Sequence, residues 1–421
     1  MSGSQEKLEK LKVVHIVSGE FSGGAARGAY WLHLGLLARG VDSKIITNAK
    51  DDLGDPNIVS LTNSKLRRIF SLVARNLDSL FLMCFPNRKR RIFSTGFFGI
   101  NYWRNDIFKY ADVVHLHWVN GLVRSSTVRR INKPVVWSIR DMWPMTGGCH
   151  YSLDCEKYKT GCGKCPQLNG NFGFDPTNIF LRSKKRNFVN VKPVGISDWV
   201  TEKAKESIIF RDANTITINN NVDCSRFFPI EKCTARKLLG ISTNKKIVLV
   251  GASDTSDFYK GASIFFSSLE MLDKNKYFLC CFGNSDLDVL KSSGFEFKRL
   301  GFLHDDISLR LAYSCADVFV APSIQEAFGK TLVEALACRT PVVCFDATGP
   351  ATIVEHKIDG YKAKAFDATD LAKGIEWVVN NPDYEHMAFA ARTSAVAKFD
   401  SIVIAEQYIE LYQGLIDKGV E

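Results

Sequence analysis

The sequence predicts an α/β protein with two doubly wound domains, each built on a parallel sheet. An apolar run at 13–17 leads into a glycine-rich loop, a helical pattern and a second predicted strand at 43–47. The same order returns at 246–251, which is followed by another loop and another helical pattern. Short β-branched runs that alternate with amphipathic helices are typical of βαβ units. The 421 residues of the chain also exceed what one ordinary hydrophobic core organises.

The composition indicates a globular protein in a reducing compartment. Apolar residues make up 46% of the chain, and no apolar run reaches the ~20 residues that a membrane-spanning helix needs. Residues 1–12 carry charges but lack the apolar segment of a secretory signal. The 12 cysteines fit free thiols. We therefore expect a cytoplasmic protein, and the net charge of +10 favours anionic partners such as phosphates, anionic lipid or nucleic acid.

The stretch 318–345 combines a predicted phosphate site with two carboxylates. An apolar run at its start predicts a buried strand, and a helical pattern begins near Gly329. The backbone N–H groups of Phe328, Gly329 and Lys330 would lie at the helix start, where they attract phosphate. Glu326 precedes the helix and Glu334 lies about one turn inside it. Such carboxylates can accept hydrogen bonds from the hydroxyls of a sugar and a ribose; taken alone, they also fit solvated helix charges.

The segment EAFGKTLVE, followed by EALACRTPVV, resembles the donor-sugar motif of retaining glycosyltransferases of family four. The nearest group is similar to bacterial enzymes that build O-antigen, capsule and colanic-acid-like polysaccharides. The resemblance implies the GT-B fold, in which two doubly wound Rossmann-like domains face a cleft and the C-terminal helix returns to the first domain. It also implies transfer with retention from a UDP- or GDP-sugar to a growing glycan, which is expected to be linked to polyprenyl diphosphate. No catalytic metal is expected.

The resemblance divides the chain into an acceptor-side domain and a donor domain. Residues 1–221, with 405–421 packing back on them, would form the first, and residues 222–404 the second. Glu326 is implied as a catalytic residue. The resemblance assigns the remaining donor contacts to Lys260, Gly301, Phe302, Phe328, Gly329, Lys330 and Glu334, with Lys260 on the diphosphate.

The first predicted domain supplies a second set of candidate residues. Gly23 and Gly24 let a backbone approach a ligand closely and adopt positive φ, and their loop resembles the family's loop near the donor phosphates. The segment DVVHLH resembles the family's motif, which implies that His117 lies beside the anomeric carbon. Arg140 stands where many relatives carry a histidine. Asp141 keeps its match and is expected to bind an acceptor hydroxyl.

Four cysteines fall within the single segment 147–166. They are Cys149, Cys155, Cys162 and Cys165. Four thiolates can close a tetrahedral zinc site, and a polar loop has little core of its own to hold it. Two disulfides or free thiols are the alternatives, and His150 is a possible substitute ligand. We favour a structural zinc without a catalytic function, because four protein ligands leave no open position.

Residues 65–91 mix basic and apolar side chains in a basic amphipathic pattern. They would place the protein on an anionic membrane, at the inner face of the plasma membrane, or form an ordinary packed helix with a solvated basic side. Two other functions stay open. One is a nucleotide-sugar 2-epimerase on a similar fold, and the other is a nucleic-acid or membrane-surface binding protein. The sequence contains no nucleic-acid-binding motif that would support the second alternative, so we expect no nucleic-acid partner.

Overall fold

The computed structural model describes residues 11–49, 53–62, 80–89, 91–99, 106–169, 175–254, 258–284 and 287–418, together with residues 69, 73 and 77. The chain divides into two compact units. The first comprises Met1–Asn219 with Ile404–Glu421, and the second comprises Asn220–Val403. Each unit contains a parallel sheet, so the predicted pair of parallel-sheet domains is confirmed.

The sheet of the first unit has seven parallel strands in the order β3-β2-β1-β4-β5-β6-β7. The strands are β1 Lys12–Val17, β2 Asp42–Thr47, β3 Ile58–Ser60, β4 Val113–Leu116, β5 Val135–Ile139, β6 Val191–Gly195 and β7 Ile216–Thr217. The helices are α1 Gly24–Ala38, α2 Asp106–Tyr110, α3 Ser125–Val128, α4 Thr177–Asn187 and α5 Asp198–Glu206. The strand order reverses direction between β1 and β4, and ligands of doubly wound sheets bind at such a point.

The sheet of the second unit has six parallel strands in the order β10-β9-β8-β11-β12-β13. The strands are β8 Lys246–Asp254, β9 Tyr277–Asn284, β10 Phe297–Gly301, β11 Val318–Ala321, β12 Val342–Phe345 and β13 Gly360–Ala363. The helices are α6 Lys232–Leu238, α7 Ala262–Leu269, α8 Leu287–Ser292, α9 Asp306–Cys315, α10 Lys330–Ala337, α11 Ala368–Val379 and α12 Tyr384–Phe399. Here the order reverses between β8 and β11.

The core of the second unit explains why the apolar runs form central strands. All four residues of β11 and all four of β12 are buried. Val248, Val320 and Val343, from three neighbouring strands, belong to one apolar cluster with Leu371 and Ile375 of α11. A strand that is covered on both faces is apolar at every position, as these runs are.

The terminal helix, α13 Ser401–Lys418, contributes to the core of the first unit. Ile404, Tyr408 and Tyr412 are buried in one cluster with Val13 of β1 and Leu32 of α1. The predicted return of the C-terminal helix to the first domain is therefore confirmed. Among the described residues, no helix is both long enough and apolar enough to cross a membrane.

Candidate active site

Two loops lie side by side at the C-terminal edge of the second sheet. One follows β8 and the other follows β11, and the N–H group of Ile324 donates a hydrogen bond to the carbonyl oxygen of Tyr259 at 2.8 Å. Gly261 has a left-handed backbone, with φ 69°, and a Cβ atom there would collide with the carbonyl oxygen of Pro322. Only glycine fits this close approach. The loops therefore meet at the point where the strand order reverses.

The two loops bring Lys260 and Glu326 into an ion pair. Nζ of Lys260 contacts Oε2 of Glu326, and their side chains are 23% and 22% exposed. Both residues were predicted from the sequence to lie in the donor site, but their contact with each other was not predicted. The pair places one positive and one negative group at the same partly open position. It can serve a ligand that carries both an anionic group and neutral hydroxyls.

A third loop, which follows β12, forms hydrogen bonds with the backbone of Glu326. The N–H group of Gly349 donates to the carbonyl oxygen of Glu326 at 2.9 Å, and Oγ1 of Thr348 accepts from its N–H group at 3.4 Å. A Cβ atom on Gly349 would overlap the backbone of Ala327. Sequence reasoning assigned no role to this support. The glycine is the one signal that could have indicated a close backbone approach.

The start of α10 has the local geometry that the sequence analysis expected. Gly329 caps the helix with a left-handed backbone, at φ 105°, and Lys330 is the first helical residue. The Phe328 ring is buried and packs against the Phe399 ring at 5.7 Å between centroids. Phe328 can therefore contribute its backbone, but not its ring, to a ligand.

Glu334 is buried one turn into α10. Its Oε2 accepts a hydrogen bond from the Tyr313 hydroxyl at 2.8 Å, and its Oε1 lies 3.6 Å from Nζ of Lys330. The structure thus gives this carboxylate two protein neighbours. No pattern in the sequence signals Tyr313, which lies on α9. The predicted contact of Glu334 with a ribose stays a prediction.

Gly301 and Phe302 lie at the end of β10, two strands away from β8 in the sheet. Gly301 has φ 71°, and a Cβ atom there would meet no neighbour within 4 Å. Phe302 is 52% exposed, and its ring lies 4.5 Å from the ring of His304. An exposed aromatic ring offers a surface on which a base can stack.

In the first unit, the glycine-rich loop follows β1 and meets the end of β4. The N–H group of Ser18 donates to the carbonyl oxygen of Trp118 at 2.7 Å. Gly23 and Gly24 are exposed at the start of α1. The expectation of positive φ at these two residues is wrong, because Gly23 has φ −75° and the left-handed glycine of this loop is Gly19, at φ 93°. Glycine permits positive φ without requiring it.

His117 lies in a buried layer with His15 and His115. Nε2 of His117 and Nδ1 of His15 are 2.9 Å apart, and the guanidinium of Arg140 donates to Nδ1 of His117 at 3.2 Å. Because a guanidinium has no acceptor, Nδ1 of His117 must be unprotonated. His117 is then neutral and carries its proton on Nε2. That N–H group donates a hydrogen bond to Nδ1 of His15. Arg140, which replaces the histidine of many relatives, thus fixes the tautomer of His117.

The three rings could be taken for a metal site, because one ring nitrogen of each lies within 4.8 Å of the others. The hydrogen bonds argue against this. His115 uses Nδ1 for the Tyr412 hydroxyl at 2.6 Å and Nε2 for Ser138 at 2.7 Å. Burial lowers the pKa of Arg140 to about 10, so the guanidinium stays positive at neutral pH and repels a cation. The layer is better described as a neutral hydrogen-bonded network.

We expect the first unit to lose stability as the pH falls below 6.5, the ordinary pKa of histidine. Burial lowers the pKa values of His15, His115 and His117 far below that value. The folded rings stay neutral while the unfolded rings take up protons. Their contribution is fully present above pH 6.5 and declines below it, by up to about 1.4 kcal/mol per pH unit for each ring.

Thermal unfolding between about pH 7.5 and 5.5 measures this dependence. A His15→Gln variant should show a shallower decline than the wild type, because one of the three rings no longer titrates. Equal declines in the two proteins would contradict the assignment.

Asp141 is held by three donors beside the end of β5. Its Oδ2 accepts from Nε1 of Trp118 at 2.7 Å and lies 2.6 Å from Nδ1 of His150. Its Oδ1 accepts from the N–H group of Trp143 at 2.8 Å. The second ring nitrogen of His150, Nε2, faces Ser94 at 3.1 Å, and the suggestion that His150 is a substitute zinc ligand stays a prediction. His150 orients the carboxylate that was predicted to meet the acceptor.

The four clustered cysteines line one small cavity, which Phe93 and Lys157 also border. Cys149 is buried, and Cys155, Cys162 and Cys165 are partly buried. Each of the four is a free thiol in this structure, so the alternative of two disulfides is not what the structure shows.

Comparison with known proteins identifies a matching family and several relatives of this chain. Residues 234–394 match the family described as glycosyl transferases group 1. Over 420 residues the chain is 28% identical to the putative colanic acid biosynthesis glycosyl transferase WcaC of Escherichia coli. This match covers 93% of this chain and 97% of WcaC. It is also 30% identical over 205 residues to the N,N'-diacetylbacillosaminyl-diphospho-undecaprenol alpha-1,3-N-acetylgalactosaminyltransferase of Campylobacter jejuni, at 46% and 53% coverage.

Among solved structures, the Anabaena protein HepE in complex with UDP-glucose has a TM-score of 0.66 and 18% identity to this chain. The match covers 96% of this chain and 100% of that one, and it shows that the two share a fold. The family match lies within the second unit, which also holds Lys260 and Glu326. The second unit therefore carries a group 1 glycosyltransferase domain, and the chain is a glycosyltransferase of the GT-B fold.

Proposed function

We propose that the protein transfers a sugar, with retention, from a nucleotide-diphospho-sugar to a hydroxyl of a growing, lipid-linked bacterial surface glycan. The Lys260–Glu326 ion pair at the reversal point of the second sheet carries this proposal. The names of the relatives agree with it. HepE is described in complex with UDP-glucose, WcaC with colanic acid biosynthesis, and the Campylobacter enzyme with a diphospho-undecaprenol acceptor.

In this proposal the second unit is the donor domain. The donor diphosphate draws Lys260 away from Glu326 and also meets the N–H groups at the start of α10. Glu326 then accepts a hydrogen bond from a sugar hydroxyl, and Phe302 lies beside the base. Positive groups that meet the departing diphosphate stabilise the charge that develops as the glycosidic bond breaks. The donor is a UDP- or GDP-sugar.

The first unit is the acceptor-side domain in this proposal. Asp141 accepts a hydrogen bond from the acceptor hydroxyl, and its donors Trp118, Trp143 and His150 fix its position. His117 contributes as a neutral ring whose tautomer Arg140 sets.

Retention follows from attack on the face that the diphosphate leaves. The acceptor oxygen bonds to the anomeric carbon, the bond from that carbon to the phosphate oxygen breaks, and the acceptor proton passes to the departing phosphate. Double displacement would need a carboxylate nucleophile. Glu334 is a poor candidate because it is buried against Tyr313.

The test is a panel of UDP-, GDP- and dTDP-sugars, scored by thermal shift and by release of the nucleoside diphosphate. We expect one donor to stabilise the protein, and we expect nucleotide release only when a lipid-linked acceptor is present. Interconversion of the sugar without any acceptor would instead identify a 2-epimerase. Absence of stabilisation by every donor would contradict the proposal.

We also propose that the segment 65–91 contacts an anionic membrane, which would place the protein on the inner face of the plasma membrane. Part of the segment, including Lys65, Arg67, Arg68, Arg75 and Arg90, lies outside the described residues. The described apolar residues at intervals of three or four are 38% to 69% exposed: Ile69, Val73, Leu77, Leu80 and Met83. Phe81 and Phe85 instead pack toward Phe180 in the first unit. An exposed apolar row within a segment whose sequence is rich in lysine and arginine suits an interfacial helix.

Flotation with lipid vesicles tests this contact. We expect binding to vesicles that contain phosphatidylglycerol, and about 10-fold weaker binding when Leu80 and Met83 are both replaced by serine. The equally exposed Leu238, in the second unit, supplies the matched control Leu238→Ser. Equal binding to neutral and anionic vesicles, or equal binding of the wild type and the double variant, would contradict the proposed membrane contact.

A further inference from the structure

The loop between β5 and α4 is long and has almost no regular secondary structure. Its described residues, 140–169 and 175–176, form two short 3₁₀ turns and no α-helix or strand. Loops of this length without secondary structure are uncommon in compact domains, and those that are ordered usually have a function. The four cysteines of the small cavity all lie in this loop.

We propose that Cys149, Cys155, Cys162 and Cys165 bind one zinc ion in a closed structural site. Four thiolates complete a tetrahedral zinc shell. The site is separate from the Lys260–Glu326 pair, which lies in the second unit, and its function is to hold the loop in shape. Zn²⁺ replaces the four S–H protons, which pass to solvent, and the resulting tetrathiolate centre is doubly negative.

The turn from Cys162 to Cys165 is already shaped for a ligand at its sulfurs. Gly163 and Lys164 both have positive φ, at 143° and 45°. Nζ of Lys157 donates to the carbonyl oxygens of these two residues at 2.9 Å and 2.7 Å, which holds the turn. A lysine in left-handed backbone is strained, and such strain persists where the surroundings require it.

Backbone N–H groups point at the sulfurs of this turn. The N–H group of Gly147 donates to Sγ of Cys162 at 3.3 Å. The N–H groups of Leu168 and Gln167 also form hydrogen bonds to the Cys165 sulfur. Hydrogen bonds of this kind stabilise a thiolate, which is the form that binds a metal.

A buried cation lies close to the same cavity. Lys184 of α4 is fully buried, and its Nζ donates to the carbonyl oxygens of Trp143 and Thr146 at 2.6 Å and 3.0 Å. Its positive charge also interacts with the Cys162 thiol. A doubly negative zinc centre would be attracted to this ammonium, since the interaction of charges is strong in a poorly solvated interior.

An ordinary apolar function is the competing explanation for part of the cluster. Cys149 and Cys165 pack with Phe93, Leu168 and Phe180. Among the described residues, the three histidines of the first unit are the one group of three or more possible ligands whose atoms all lie within 4.8 Å of one another, so no three of the four sulfurs are that close together. Zinc would draw them together. Apolar packing does not explain why backbone N–H groups point at the sulfurs of Cys162 and Cys165.

The loop also carries His150, between Cys149 and Cys155, and His150 contacts Asp141 at 2.6 Å. A zinc ion that fixes both neighbouring cysteines would therefore fix the ring that orients this carboxylate. The metal would act on acceptor binding through position alone, because its four protein ligands leave no open coordination site.

Metal analysis of protein purified without added metal tests the proposal. We expect about one zinc ion per chain, and less than about a tenth of that in the Cys162→Ser variant. The exposed Cys233→Ser, in the second unit, is the matched control and should keep the wild-type content. Cys162→Ser with wild-type zinc content would overturn the proposal.

Because Cys162→Ser could fail to fold, the wild type is also tested directly. A mercurial reagent that blocks the thiols should release the zinc, and a strong chelator should lower the unfolding temperature, which added zinc restores. Less than about a tenth of a zinc ion per chain, both as purified and after incubation with equimolar zinc, would overturn the proposal. So would iron in place of zinc.

Discussion

Replacing Glu326 with glutamine is expected to lower kcat/KM for glycosyl transfer about 100- to 1,000-fold while the protein stays folded. The amide keeps the shape of the side chain but removes the negative charge that faces Lys260. A hydrogen bond from a sugar hydroxyl to a carboxylate is stronger than one to an amide. Steady-state kinetics with the donor that the panel identifies measures the loss.

Glu296 provides the matched control for this substitution. It pairs with Lys245 at 2.6 Å and precedes β10, so it lies at the opposite edge of the same sheet. Glu296→Gln should change kcat/KM by less than about twofold, because an exposed ion pair contributes little. Turnover by Glu326→Gln within about threefold of the wild type would remove this residue from the catalytic site.

Replacing Lys260 with methionine is expected to weaken the binding of the nucleoside diphosphate about 10- to 100-fold. Methionine keeps an apolar stem of similar length but cannot donate to a phosphate oxygen. Calorimetric titration with UDP or GDP measures the affinity. Lys245→Met, at the opposite edge of the sheet, should leave that affinity unchanged. Equal affinities of the wild type and Lys260→Met would exclude the lysine from the diphosphate site.

The ion pair makes the two substitutions act differently on the nucleotide. Glu326→Gln releases Lys260 from its partner, so the affinity for the nucleoside diphosphate should be retained or rise. Lys260→Met should lower it. A general disturbance of the loop would lower the affinity in both variants. Opposite directions therefore distinguish a functional pair from a misfolded loop.

The sequence was informative wherever a backbone rule was sufficient. The resemblance assigned Lys260 and Glu326 to the donor site. In a doubly wound sheet, the loops that follow two neighbouring strands meet at one edge, which explains why these two residues, after β8 and β11, lie close together. The terminal helix was predicted from the resemblance and is observed.

The partners of individual side chains could not be predicted from the sequence, because they depend on packing between segments that are distant in the chain. Tyr313 reaches Glu334 from a neighbouring helix, and no spacing rule connects them. His150 was grouped with the cysteines because it adjoins Cys149, yet its ring faces Asp141. The arginine at position 140 was recognised as a departure from the pattern, but its effect on the His117 tautomer required the 3.2 Å contact.

The helix α13 has a consequence for the order in which the chain folds during synthesis. Tyr412 closes a hydrogen bond with His115, although 297 residues separate them in the chain. On a ribosome, the sheet of the first unit emerges long before α13 exists to cover Val13, Leu32 and the buried imidazole. The second unit is continuous from Asn220 to Val403 and has no such requirement. The half that is translated later can therefore be the half that completes its fold first.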